Sequence, residues 1–104
     1  MPFYKIAGTI FDIAFAENNL CNVTVGSKQI TLARIENQLF AFAEKCPHAG
    51  NLLSEGYLDV KGCVVCPMHG YRFALQNGRN VTGEGYKLKI FPVEKREDGW
   101  YVEM

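Results

Sequence analysis

Apolar and polar residues alternate with a period of two over much of this chain, and nowhere does a long 3.6-residue repeat appear. Residues 3–7 form a short alternating run. Residues 21–25 and 29–35 alternate cleanly, and after the turn at Glu36-Asn37-Gln38 the pattern returns over 39–43, which predicts an antiparallel pair. Cys63-Val64-Val65-Cys66 reads as a short β-branched strand, residues 71–75 as another, and Gln76-Asn77-Gly78 as a turn. Residues 88–94 and 100–103 flank a turn at Asp98-Gly99, and Pro92 inside the first of these runs places it at a sheet edge. The stretch 10–16 fits either a short strand or a helical turn. Many short strands separated by Gly and Asn turns predict an all-β fold of short antiparallel sheets, a sandwich or partial barrel.

Composition narrows the class. At 104 residues the chain is the size of one domain, 1–104, and 48% apolar against 21% charged residues makes it globular. A formal net charge of zero argues against a nucleic-acid binder, which needs a basic face. No apolar run is long enough to span a bilayer, and the first residues lack the basic-then-apolar order of a signal peptide. The expectation is a soluble, cytoplasmic protein without membrane or nucleic-acid partners. In a reducing compartment, four unevenly spaced cysteines, two of them sharing loops with the only histidines, are metal ligands more often than disulfides.

The chemistry concentrates in two similar stretches, Cys46-Pro47-His48 and Cys66-Pro67-Met68-His69. Two thiolates and two imidazoles suit zinc or an iron–sulfur centre. Zinc fingers pair like ligands within one knuckle, whereas each loop here mixes one cysteine with one histidine. That arrangement lets the cysteines face one iron and the histidines another.

Together these stretches resemble the Rieske [2Fe–2S] family, whose pattern is C-x-H, a spacer of about seventeen residues, and C-x2-H, with a His₂/Cys₂ ligand set. Here the spacer is residues 49–65, followed by Cys66-Pro67-Met68-His69-Gly70. Leu53-Ser54-Glu55-Gly56 and Tyr71-Arg72-Phe73 are similar to family segments between and after the loops; Lys5-Ile6-Ala7, Phe40-Ala41-Phe42 and Phe91-Pro92-Val93 extend the likeness more weakly. The resemblance implies a cluster-binding subdomain over about residues 44–75 carrying one [2Fe–2S] cluster, with Cys46 and Cys66 on the buried iron and His48 and His69 on the outer one. Neutral imidazoles in place of two thiolates make uptake of an electron easier. Gly50 and Gly70 are expected to let the loops fold tightly with amides pointing inward, and Pro47 and Pro67 to stiffen them.

The family's high-potential members carry a disulfide between the loops and a serine and a tyrosine hydroxyl near the cluster. The matching positions here are Asn51 and Met68, and Tyr71 and Phe73, which implies a potential at the low end of the Rieske range, near roughly −150 mV. Cys63 and Cys21 read as buried structural thiols. Met68 reads as an apolar cover, and Leu52, Leu53 and Pro67 as limits on water access. Residues 79–86 occupy the place of the family's proline-rich covering loop but contain no proline. The resemblance implies a soluble one-electron carrier, not an enzyme, between a flavin-dependent ferredoxin reductase and a terminal ring-hydroxylating oxygenase, docking around His48 and His69 with Lys45 and Arg72 nearby. Alternatives are the small subunit of an assimilatory nitrite reductase and a zinc-stabilised interaction module.

Overall fold

Three small antiparallel sheets build the protein, in a computed structural model that describes residues 2–48, 50–68, 70–83 and 85–104. The strands are β1 (Phe3–Ala7), β2 (Leu20–Val25), β3 (Lys28–Ile35), β4 (Gln38–Ala43), β5 (Tyr57–Leu58), β6 (Cys63–Val65), β7 (Arg72–Ala74), β8 (Ile90–Phe91), β9 (Val93–Arg96) and β10 (Gly99–Glu103). The central sheet has the order β2-β3-β4-β8. It lies between the sheet β1-β10-β9 and the three-stranded sheet β5-β6-β7, which enters the chain between β4 and β8. The ambiguous stretch 10–16 resolves as a 3₁₀ turn at Ile10–Asp12 followed by irregular chain.

The alternation explains the layering. Both faces of β3 are covered, so Ile30, Thr31, Leu32 and Ala33 are all buried. Ala33 shares one apolar cluster with Leu20, Phe42, Leu53, Val64 and Phe73, on the side of the β5–β7 sheet. Ile30, Leu32 and Ala41 face the opposite way, onto Phe91 and Val102. The run 88–94 divides at Pro92, which lacks an N–H for a ladder. Its halves, β8 and β9, are edge strands of different sheets, as the proline predicts.

Polar contacts fasten the β5–β7 unit to the central sheet. Asn18 Nδ2 donates to the carbonyls of Ser54 (2.9 Å) and Gly56 (3.0 Å), and Asn22 Nδ2 donates to Ser54 Oγ (2.9 Å). The buried Thr31 hydroxyl donates to Asn22 Oδ1 at 2.6 Å, fixing that amide from behind. The 3₁₀ turn at Leu53–Glu55, which leads into β5, is thereby held against β2.

Candidate metal centre

The two cysteine loops have the same construction. An antiparallel bridge between Lys45 and Leu52 closes the first, and the β6–β7 pair Val65–Arg72 closes the second, so each encloses six residues. Cysteine is first in each loop and glycine fifth, with Gly50 at φ +75° and Gly70 at φ +69°, the left-handed region glycine adopts readily. The N–H of Cys46 donates to the Asn51 carbonyl and that of Cys66 to the Tyr71 carbonyl, both at 2.8 Å. The Gly50 N–H donates back to the Cys46 carbonyl (2.8 Å), so this amide closes its own turn instead of pointing inward as expected. The inward amide is that of Met68, which donates to the Cys66 sulfur.

Cys46 and Cys66 are 2% and 1% exposed and sit in the same apolar cluster as Phe73 and Leu53. Their sulfurs lie within hydrogen-bonding reach of one another. Burial raises the Cys66 thiol pKa above its ordinary value; the Met68 amide lowers it, and the neighbouring Cys46 raises it further. His48, third in its loop, is half-buried, with Nδ1 fully enclosed. Its ring lies 4.0 Å from that of Tyr71, tilted by 33°, and 5.4 Å from that of Tyr86, edge-on at 67°. His69 lies outside the described residues. The four cysteines are free, and Asn51 and Met68 stand at the positions expected for a bridging pair.

Two expectations need correction. Cys21 is only half-buried; its thiol donates to the Asn22 carbonyl at 3.6 Å. Cys63 is buried as expected, and burial raises its thiol pKa. Met68 is 43% exposed and Pro67 exposed, so neither encloses the site, whereas Leu53 is fully buried and Leu52 half-buried. Arg72, placed near the docking face, is also paired: its Nη1 donates to Asp59 Oδ2 at 2.8 Å.

Asp59 therefore clamps the second loop. Its Oδ1 accepts the N–H groups of Lys61 and Cys63, each at 2.9 Å, so one carboxylate joins the turn before β6 to the first residue of β7. Burial alone would raise its pKa, but the bonds from Cys63, Arg72 and Lys61 outweigh that and hold it below the ordinary 3.8. Because the folded value is depressed, the stabilisation is present above about pH 3.8 and is lost as pH falls below it. Asp59→Ala is expected to cost about 1–3 kcal/mol, since it strands two N–H groups and a guanidinium. Denaturant titration at pH 7 checks this, and the gap from wild type should shrink towards pH 3.

Comparison with known proteins fits this donor set. The Rieske [2Fe-2S] domain pattern matches residues 9–92. The chain is 34% identical over 87 residues to nitrite reductase [NAD(P)H] of Emericella nidulans, covering 76% of this chain but only 8% of that protein. It is 31% identical over 74 residues to the 3-phenylpropionate/cinnamic acid dioxygenase ferredoxin subunit of Photorhabdus laumondii, covering 70% of each. Among solved structures, a chain from the complex of reduced oxygenase and oxidized ferredoxin in carbazole 1,9a-dioxygenase superposes with a TM-score of 0.77 at 28% identity. That match covers 97% of this chain and 92% of the other. The chain belongs to the Rieske [2Fe–2S] domain family, and its cofactor is accordingly a Rieske-type [2Fe–2S] cluster. Two adjacent thiols in an apolar core form a soft donor pair that fits such a cluster, with His48 two residues on from Cys46 in the same loop; the described residues alone bring no third His, Cys, Asp or Glu donor together with that pair. No helix among the described residues is long and apolar enough to cross a membrane.

Proposed function

We propose that this chain is a cytoplasmic one-electron carrier, not itself an enzyme, that links a flavin-dependent reductase to a terminal ring-hydroxylating oxygenase. Cys46, Cys66, His48 and His69 would hold the cluster. When bound, the cluster accepts and releases one electron. Cys46 and Cys66 supply the thiolates from inside the core, and the Met68 amide steadies the charge on Cys66. His48, at the rim, brings the bound group towards the surface. The observation that carries this reading is the pair of matched loops, which bring two buried thiols together in the apolar core, the first loop also carrying the half-buried His48. Similarity to dioxygenase ferredoxins over most of the chain supports the choice of partners.

A second reading is supported by the 34% identity to a nitrite reductase, in which this chain would deliver electrons to nitrite reduction. Reconstitution separates the two. Protein purified without oxygen should contain about two irons and two acid-labile sulfides per chain and should sustain oxygenase turnover with a flavin reductase. Coupling only to a nitrite-reducing partner would select the second reading; a colourless protein holding one zinc would overturn both. Phe73, fully buried in the cluster with both cysteines, has no hydroxyl to donate. The potential should therefore lie near the low end of the Rieske range, about −150 mV, and a value above about +100 mV contradicts this.

A further inference from the structure

Tyr86 comes from the segment that leads from β7 towards β8, remote in sequence from both cysteine loops. The start of that segment is anchored. Asn80 bridges Phe73, the Val81 N–H donates to the Arg72 carbonyl at 2.9 Å, and Asn80 Oδ1 accepts the Thr82 N–H at 2.9 Å. Beyond it, Tyr86 is 43% exposed, yet its ring meets the His48 imidazole edge-on at 5.4 Å and Tyr71 at 6.0 Å. Tyr71 covers the imidazole from another side at 4.0 Å. One aromatic ring therefore comes from the second cysteine loop and one from a separate segment, and both bear on the histidine of the first loop.

We propose that Tyr86 is a positioning residue for His48: with Tyr71 it fixes the plane of the imidazole and keeps water from that side of the metal centre. This rests on the reading of His48 as a cluster ligand. The reduced cluster carries one more negative charge than the oxidised one, and water stabilises it preferentially. A wall that excludes water therefore holds the potential down, and a fixed ring plane gives the imidazole nitrogen one defined coupling to the metal spin.

The experiment compares wild type, Tyr86→Phe and Tyr86→Ala as cluster-loaded proteins, by redox titration and by pulsed EPR of the nitrogen couplings. Tyr86→Phe retains the ring and should match wild type in both. Tyr86→Ala should show an upward shift in potential and a change or broadening in one of two histidine nitrogen couplings. If Tyr86→Ala loses its cluster, Tyr86→Leu provides the same readings, since it removes the ring but keeps apolar bulk; the nitrogen coupling should still change. A truncated variant with wild-type potential and couplings overturns the inference, even if its thermal stability has fallen. A wild-type protein without nitrogen couplings overturns the assignment of His48, and the inference with it.

Discussion

Gly56→Ala is expected to cost the protein its cluster site. A Cβ at this position would lie 1.9 Å from the Val65 carbonyl oxygen and 3.1 Å from its carbon, and 3.3 Å from the Leu53 carbonyl oxygen. All three are backbone atoms, so no side-chain rotation relieves the clash. Either the Leu53–Glu55 turn withdraws or the end of β6 shifts, and Val65 is the residue immediately before Cys66. The Gly56 carbonyl also accepts from Asn18, so a displaced turn strains its fastening to the central sheet. Overpacking typically costs about 1–3 kcal/mol, and a backbone clash this close belongs at or above the top of that range. Total stabilities are only about 5–15 kcal/mol, so a large fraction is at stake. Denaturation midpoints and iron content per chain should both fall. Gly85→Ala is the control: a Cβ there meets nothing within 4 Å, so its stability should stay within about 0.5 kcal/mol of wild type. Equal iron content and midpoints in wild type and Gly56→Ala would show that turn and strand are not in the close contact described.

The same turn shows where reading the sequence reached its limit. Leu53-Ser54-Glu55-Gly56 is visible as a stretch similar to a family segment, but the reason for its glycine is a contact with a strand nine residues further on. Local alternation exposed β2, β3 and β4, because successive side chains along a strand point to opposite faces. It left the burial of Cys21 overestimated, since a half-buried small thiol in an alternating run looks no different from a buried one. The likeness of the two Cys-Pro-His stretches was legible; their common closure, a cysteine N–H to the carbonyl five residues on, emerges only from the backbone. Contacts that join remote segments left no local trace. Asn18 reaches Ser54 and Gly56 across 36 and 38 residues, Asp59 takes the Arg72 guanidinium, and Tyr86 reaches His48. Each uses a residue type common on surfaces, so composition alone points equally to a solvated side chain.

Exchanging a histidine ligand for cysteine should move the potential more than any change in its surroundings. His48→Cys and His69→Cys each replace a neutral imidazole by a thiolate, adding a negative charge directly on the metal. Rieske centres span roughly −150 to +300 mV and plant-type ferredoxins with four thiolates lie near −400 mV, so two exchanges separate these classes by about 250 mV or more. One exchange is then expected to lower the potential by on the order of 100 mV. For a one-electron couple that is roughly a 50-fold bias towards the oxidised form. The His48 site is well placed to accept the exchange, because its loop is closed by backbone bonds from Cys46 and Gly50, which the substitution leaves intact. The nitrogen couplings should fall from two to one in each variant. An intact cluster with wild-type potential and both couplings would remove the substituted histidine from the ligand set. A fall in only one of the two variants would show that the two loops, despite their common backbone, do not both supply an imidazole.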